Sequence, residues 1–581
     1  MLNVWDQIRL EDSQEPLLRA LRPLSSLTAS YSLAEETRRK WSISLICLIV
    51  ILQNVVDFSV SANMVWMASL AGNSTFRWLP CKMEQPTNGG QASPVVGTAA
   101  TLVYYLLVAV FSVVGGYLGD TKLGRFKTLK LALLLMVVGT ACYAALAVVL
   151  GLNDKENNFE VRRAVGTIFY HFMVYVLLAF SITICAAGSG IHSANIVPFA
   201  LEQCFNSPSD DMNERGKYIS LSKVFHLLYF MRNTGCLITF SAVSSLQEHH
   251  LLFGCCVPLI CALISAGPLL MGERYFVANV PRVNMSSVFV NVIKEGYRLS
   301  KVPGTVPDSG ELHFLDYSKV EYGGSFSRDD VKAVKRLISL IPMLSIYMVY
   351  YVLYSQMHTT FYMQGLFIKT PPYFPYSGGS AINSLTVLLL IPFVVFVIYP
   401  YLTAKHGPIS PFVKTQVGFA LIALAMVAAG ILEYFRVLHT QPAYHETVEV
   451  RLHFASLMDM TILQSLHFYY RFPQYILIGI SEVMVVIVAL KTAYIEAPRE
   501  YKSAVFGIYY MFNALGTFIA MIILLATQAI SYFIFEGDGW VCTDFNVGRI
   551  YYFFYILCGI MIVNMMALAR TTHKFENKIN Y

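Results

Sequence analysis

The sequence predicts an all-α membrane protein, and two observations predict it: the composition and the length of the apolar runs. Hydrophobic residues make up 56% of the 581 residues and charged residues only 13%, whereas soluble domains carry about 25% charged residues. Many of the apolar runs are long enough to cross a bilayer as a helix, which takes about 20 residues. These features predict a protein with many membrane spans rather than a soluble domain with one anchor.

Twelve spans are predicted, and the basic segments beside them set their orientation. The spans cover residues 41–70, 97–118, 128–151, 165–191, 218–244, 251–271, 337–364, 379–403, 412–435, 472–495, 503–528 and 549–569. Arginine and lysine cluster in the amino-terminal tail and in a central linker, which predicts that both lie in the cytosol together with the carboxyl terminus. The predicted organisation is a tail (1–41), a six-helix bundle (42–272), a cytosolic linker (273–336), a second six-helix bundle (337–569) and a second tail (570–581).

Six spans, a basic linker and six further spans form the arrangement of the major facilitator fold, in which substrate binds between the two halves. A seven-span receptor would leave five spans unexplained, and no re-entrant channel filter is recognisable. Neither a phosphate-binding loop nor a catalytic triad is found, so the protein is not expected to be an enzyme. The eleven cysteines lack metal-ligand spacing and the net charge of +6 is small, so neither a cofactor nor a nucleic-acid partner is expected.

The first span contains one acid, Asp57, within a nearly unbroken apolar run. A carboxylate near the centre of a spanning helix costs about 2.5–3.5 kcal/mol, so it must face a cation, a polar cavity or a proton. Gln53 and Asn54 precede Asp57 by one turn, and residues at this spacing share a helix face. We therefore expect this face to line a polar cavity; the alternative is an isolated, neutral acid.

Other predicted spans also contain ionisable or polar side chains. Arg232 lies in span five beside Tyr229 and Asn233, which share a helix face, and Glu482 lies in span ten. The alternative for these residues is hydrogen bonding or ion pairing between helices. His192 has a side chain that titrates near neutral pH, but a histidine within a span is more often a packing residue.

Five segments carry motifs of one transporter family: Gly115–Arg125, Gly188–Asn195, Leu353–Gln364, Ala428–Glu433 and Pro473–Glu482. These segments resemble the proton-dependent oligopeptide transporter family, solute carrier family 15, and within it the peptide/histidine branch of animals. The resemblance runs from the first span to the twelfth. It implies a divergent member that carries small peptides, histidine or both, with protons as the coupled ion. The partners would be a small peptide or amino acid, protons and the lipid bilayer.

The resemblance implies roles for four polar residues. They fall on family positions that contact the ends of the substrate or gate the cavity: Tyr229, Asn233, Gln356 and Glu482. Glu482 would engage the amino terminus of a peptide.

The chain departs from the family at the charges of the first helix. The family motif of two glutamates and an arginine, E-x-x-E-R, falls on Val50, Gln53 and Asn54, and the family's fourth-span cation falls on Ser193. Three interpretations stay open: proton coupling by a different route, facilitated diffusion, and a membrane scaffold that kept the fold without transport.

Asp57, Arg232 and His192 are the candidates for carrying the missing charge. An acid lies one turn beyond the family motif, and an arginine lies in span five rather than span four. A buried acid beside a cation keeps its charge, whereas an isolated one becomes neutral. We expect Asp57 and Arg232 to form a displaced pair; the rival arrangement places Asp57 against His192.

Two features outside the spans bear on location. The tail segment Ser13–Leu18 resembles an acidic dileucine sorting signal, so the plasma membrane and endolysosomal membranes are both expected locations. The loop after the first span contains the glycosylation sequon Asn73-Ser74-Thr75 on the predicted non-cytosolic side. Cys81 and Cys542 lie on the same predicted side and could form a disulfide.

The predicted orientation is tested by glycosylation and by proteolysis. In a secretory-pathway host, Asn73 should carry glycan, so a glycosidase should increase the mobility of the native chain and leave Asn73→Gln unchanged. The 273–336 linker should be cut only by protease added to the cytosolic side. Cleavage of that linker from the luminal side would refute the orientation.

Overall fold

The computed structural model describes residues 22–62, 94–151, 167–205, 214–278, 285–301, 313–440 (apart from 367, 369–370, 372–373 and 408), 468–534 and 549–579. Eleven helices in this part of the chain are long and apolar enough to cross a membrane. The predicted all-α membrane class is therefore confirmed. Asn73, Cys81 and Cys542 lie outside the described residues.

Twelve principal helices coincide with the predicted spans. They are α1 Arg22–Ala62, α2 Pro94–Tyr117, α3 Arg125–Gly151, α4 Thr167–Phe205, α5 Glu214–Ile238, α6 Leu251–Met271, α7 Arg328–Tyr354, α8 Gly379–Phe393, α9 Pro411–Thr440, α10 Phe472–Glu496, α11 Lys502–Ile534 and α12 Tyr551–Ile579. Shorter helices cover Ser244–His249, Met285–Leu299, Thr360–Leu366 and Tyr399–His406, and π-helical turns cover Leu118–Lys122, Thr239–Val243 and Val394–Ile398. Helix α5 is not among the eleven apolar helices, so the count of twelve spans stays a prediction.

Several helices extend well beyond their predicted bounds. Helix α1 begins at Arg22 and α12 ends at Ile579, each within a predicted tail, and α4 continues past residue 191 to Phe205 with Pro198 inside it. Much of the added part of α4 is buried, including Ala194 and Leu201. Proline is tolerated in membrane helices because neighbouring groups satisfy the freed backbone carbonyl. Burial against neighbouring helices therefore lengthens α4 beyond its most apolar stretch.

Helices α2 and α11 form the most extensive contact between the two halves among the described residues, and α5 contacts α8 and α10. A Cβ atom on Gly116 would lie 2.4 Å from the backbone oxygen of Ser503, and one on Gly507 would lie 2.5 Å from the backbone oxygen of Ser112. Glycines let membrane helices approach to backbone contact. The α2–α11 contact therefore depends on a glycine from each half.

A network of charged side chains closes the predicted cytosolic end of this contact. Asp120 accepts hydrogen bonds from the backbone N–H of Ala504 on α11 (2.8 Å) and from the Arg125 guanidinium (2.8 Å). Arg125 also donates to Ser503 Oγ at 2.8 Å and pairs with Glu202 on α4. Charge-assisted hydrogen bonds of this kind are about twice as strong as neutral ones. The network ties α2, α3, α4 and α11 together.

The linker folds against the start of α7 through an apolar contact and an ion pair. Val292 of the Met285–Leu299 helix packs with Leu315 and with Val331 of α7. Burial raises the pKa of Asp316, but hydrogen bonds from Lys319 and Lys335 outweigh it and hold this pKa below its usual value. A carboxyl whose pKa is lower in the folded state contributes stability above its unfolded pKa of about 3.9. This contribution is complete at neutral pH and is lost as the pH falls through the folded value.

Asp120→Asn should destabilise the contact between the halves. The substitution keeps the volume but removes the charge that Arg125 and the Ala504 N–H share, and hydrogen bonds to charged groups contribute about 1.5–3 kcal/mol each. We expect a lower melting temperature for the protein in detergent. Glu321→Gln, at an exposed position of the linker, is the control. Equal melting of Asp120→Asn and the native protein would contradict the role of the network.

Candidate functional site

A cavity of about 150 Å³ lies between the two halves of the bundle. Helices α1, α2, α4 and α5 line one side of it, and α7, α10, α11 and the turn after α7 line the other. Among the described residues, four side chains with ionisable nitrogen or carboxylate groups face this central cavity: Asp57, His192, Arg232 and His358. The cavity therefore combines an acid, a guanidinium and two imidazoles in an otherwise largely apolar wall.

Helix α1 places only part of its predicted polar face on the cavity. Asn54 and Asp57 line the cavity, and the Asn54 amide donates to its own helix at Val50 O (2.6 Å). Gln53 instead donates to Ser265 Oγ on α6 at 2.6 Å. The expectation that all three residues share one polar lining is wrong for Gln53. Gln53 lies about 100° around the helix from Asn54, and its longer side chain reaches α6.

Asp57 and Arg232 face the same cavity but do not form the expected ion pair. No side-chain nitrogen of Arg232 lies within 4.0 Å of a carboxylate oxygen of Asp57. The Arg232 guanidinium lies over two aromatic rings, 5.8 Å from the centroid of Phe58 and 5.9 Å from that of Tyr229. Cation–π contacts of this kind stabilise a desolvated guanidinium. The predicted direct contact between Asp57 and Arg232 is therefore wrong for this structure.

The rival arrangement, in which His192 pairs with Asp57, is not formed either. The His192 side chain is 5% exposed and lines the cavity, and its Nε2 atom has no hydrogen-bonding partner among the described residues. Asp57 Oδ1 is likewise without a partner there, while the Ser189 side chain lies beside the carboxylate. An acid and an imidazole of the cavity lining thus each have a buried polar atom without a hydrogen-bonding partner among the described residues.

Glu482 is held behind the cavity wall by donors from both halves. Its carboxylate accepts hydrogen bonds from the Tyr229 hydroxyl of α5 and from Asn383 Nδ2 of α8, the latter at 2.8 Å. Glu482 is only 3% exposed and does not line the central cavity, whereas Tyr229 does. The tyrosine side chain therefore separates the acid from the cavity in this conformation.

The two amides among the expected substrate-binding residues do not line the central cavity. Asn233 is buried and donates to Tyr229 O at 3.1 Å. Gln356 donates to Val352 O at 2.9 Å and accepts from Thr360 Oγ1 at 2.9 Å. Both amides are therefore occupied in bonds that fix the backbone near the cavity. Of the four expected substrate-binding residues, only Tyr229 lines it.

Tyrosines line much of the cavity, and sequence reasoning identified only Tyr229 among them. The others come from α2, α7 and α11: Tyr104, Tyr105, Tyr354 and Tyr510. The signal available in the sequence is the pairing of tyrosines within apolar runs, as in Tyr104-Tyr105 and Tyr509-Tyr510. Tyrosine combines an apolar ring with a polar tip, so such pairs indicate walls that contact both apolar and polar groups.

An aromatic cluster bounds the cavity at the predicted non-cytosolic end. Phe240, in the π-helical turn after α5, stacks on the His358 ring with centroids 5.4 Å apart and contacts Phe58 of α1 at 5.5 Å. The cluster joins α1 and the end of α5 to the turn after α7. Together with the charged network at the other end, it encloses the cavity along the bundle axis.

Residues 126–541 match the profile of the POT family, PTR2. The chain belongs to the POT family. It is 22% identical to solute carrier family 15 member 3 of Mus musculus, with 93% of this chain and 92% of that protein covered. It is 25% identical to a peptide transporter of Candidozyma auris, with 79% and 74% covered.

A solved structure described as an auto-inhibited POT family peptide transporter matches with a TM-score of 0.62 and 16% identity, covering 92% of this chain and 96% of that one. At this identity the likeness establishes the fold alone. The predicted major facilitator fold and the predicted family are thus both confirmed. For this POT family member, the cavity between the halves is the candidate substrate site.

Tyr229→Phe should destabilise the protein by removing one donor from the buried Glu482 carboxylate. A hydrogen bond to a charged group contributes about 1.5–3 kcal/mol, so a lower melting temperature is expected. In the Glu482→Gln background the same substitution should cost less, because the bond is already weakened. Tyr401→Phe, at an exposed tyrosine, is the matched control. Additive effects of Tyr229→Phe and Glu482→Gln would contradict the bond.

Proposed function

We propose that this POT family member is a secondary transporter of small peptides or amino acids, with the central cavity as its substrate site. The observation that carries the proposal is the presence of an acid, Asp57, and a guanidinium, Arg232, that do not bind each other, on the wall of one cavity between the halves. A peptide or free amino acid carries one amine and one carboxylate. The named peptide transporters among its relatives support the same substrate class.

The carboxylate of the substrate would bind Arg232, because a guanidinium can donate two parallel hydrogen bonds to a carboxylate. Its amine would bind first beside Asp57 and then at Glu482, once the Tyr229 side chain has rotated away. Asn233 and Gln356 would act through the backbone that they hold, since their amides are bonded to it. Histidine, as a small zwitterion with an extra donor, falls within the same substrate class.

Asp57 and His192 would carry the coupling to protons in place of the family's first-helix motif. Both residues line the cavity, and each has a polar atom without a hydrogen-bonding partner among the described residues. Val50, Gln53 and Asn54 occupy the motif positions. The Arg232 guanidinium would contribute a positive charge to the site when no substrate is bound. Either the plasma membrane or an endolysosomal membrane fits such an activity, since both maintain proton gradients.

A membrane scaffold without transport is the second candidate function. The observation that favours it is the sequestration of Glu482 by Tyr229 and Asn383. A permanent bond of this kind would hold α5 against α8 and α10 and keep the two halves from separating. The two functions differ in whether the Tyr229–Glu482 bond opens.

Uptake by proteoliposomes distinguishes these functions. With purified native protein, we expect uptake of a labelled dipeptide or of histidine above that of empty liposomes, and stimulation by an inward proton gradient. Glu482→Gln should lower uptake roughly 10- to 100-fold, the equivalent of one hydrogen bond to a charged group. Asp57→Asn should abolish the stimulation by the gradient and also lower gradient-free uptake, because the substrate amine would bind beside Asp57.

Lys405→Gln, at an exposed position, is the control for the uptake assays. Thermal melting of each variant separates loss of function from loss of fold. A correctly folded native protein without uptake of either substrate favours the scaffold. Uptake by Glu482→Gln equal to that of the native protein contradicts the substrate role of Glu482. Gradient stimulation retained by Asp57→Asn contradicts its coupling role.

A further inference from the structure

A second cavity, of about 180 Å³, lies at the predicted cytosolic ends of α5, α9 and α10, beside the helix Tyr399–His406 that continues α8. It shares no lining residue with the central cavity. Even neighbouring residues on one helix line different cavities. Phe225 lines the central cavity and His226 lines this one, and Leu490 and Lys491 divide in the same way on α10. We refer to this second cavity as the basic pocket.

Two lysines give the basic pocket its charge. Lys414 of α9 and Lys491 of α10 line it together with one carboxylate residue, Glu496. The two ammonium groups are close enough to repel each other electrostatically. The Lys414 ammonium lies over the Tyr399 ring, 3.9 Å from its centroid, and makes no ion pair with a carboxylate among the described residues. The lining therefore carries more positive than negative charge.

A buried histidine supplies a hydrogen-bonding atom in the same pocket. His226 is 5% exposed, and its Nδ1 lies 2.6 Å from the Ser222 carbonyl oxygen. A carbonyl only accepts, so Nδ1 carries the proton. The other ring nitrogen, Nε2, has no hydrogen-bonding partner among the described residues. A buried polar atom without a partner is costly unless a ligand satisfies it.

We propose that the basic pocket binds a terminal phosphate, free or as a monoester, at the cytosolic face. The two lysines provide the charge, and Nε2 of the neutral His226 imidazole accepts a hydrogen bond from a protonated phosphate oxygen. Basic pockets between spanning helices on the cytosolic side suit phosphate headgroups. The phosphate comes either from a lipid of the inner leaflet or from a soluble molecule, and the chemistry recognised is the same.

The site would hold together α5 of the amino-terminal half and the cytosolic ends of α8, α9 and α10 of the other half. A ligand that bridges helices of both halves stabilises the conformation in which those helices are close. Phosphate binding would therefore favour the arrangement of the halves seen here. This effect is independent of the substrate carried in the central cavity.

Thermal melting of the full-length protein in nanodiscs tests the proposal. One arm uses phosphatidylcholine nanodiscs with inorganic phosphate, against sodium chloride at the same ionic strength. The other arm uses nanodiscs that contain phosphatidic acid, against phosphatidylglycerol at the same charge density. A rise in melting temperature specific to either phosphate probe is expected. Stabilisation by phosphatidic acid alone identifies a lipid as the source, and stabilisation by inorganic phosphate identifies a soluble one.

Matched variants locate the effect. Lys414→Gln and Lys491→Gln should each weaken the apparent affinity roughly fivefold, the contribution of one lysine near an anionic surface, and the double variant should lose the stabilisation. Lys405→Gln, an exposed lysine at the same end, should keep it. The melting temperature of each variant without phosphate serves as its own baseline.

His226→Gln serves as an independent variant, since it removes the imidazole without changing either lysine. It should reduce stabilisation by the same probe. No stabilisation by either probe, or equal stabilisation of the native protein and the double lysine variant, overturns the proposal.

Discussion

A carboxylate deep in an apolar helical bundle must find its donors on other helices, and the arrangement of the halves depends on how Glu482 meets this requirement. Its donors come from both halves, Tyr229 of α5 and Asn383 of α8. In a low-dielectric interior an unpaired carboxylate would be strongly disfavoured. The Tyr229–Glu482 hydrogen bond therefore holds the two halves together. If the halves separate near α5, the carboxylate needs another hydrogen-bonding partner. An amine on a substrate is a partner of that kind.

The same constraint explains the two ends of the cavity. At one end Asp120, Arg125 and Glu202 satisfy one another and the start of α11. At the other end the closure is aromatic, with Phe240 stacked on His358. One end is therefore closed by charge-assisted hydrogen bonds and the other by ring contacts.

The sequence alone predicts the helical class, the approximate positions of the principal helices and the placement of Asp57 and Arg232 on one cavity. Apolar run length and the cost of intramembrane charge are local properties, so they can be evaluated from the chain alone. The fates of Gln53 and Glu482 could not be evaluated in that way. Each depends on which neighbouring helix brings a donor or acceptor within about 3 Å. For Gln53 that neighbour is Ser265, more than 200 residues away in the chain.

The π-helical turn Thr239–Val243 at the end of α5 has a consequence for comparing relatives. Such a turn accommodates one residue more than an α-helix does over the same rise, and each residue of an α-helix turns the chain by about 100°. A relative with a regular α-helix here needs a one-residue gap to keep Gln247 opposite the Ser59 carbonyl that it contacts at 3.2 Å. An ungapped alignment would rotate the whole segment from Ser244 to His249 onto the wrong face. Residue equivalences beyond α5 should therefore be counted from the far side of this turn.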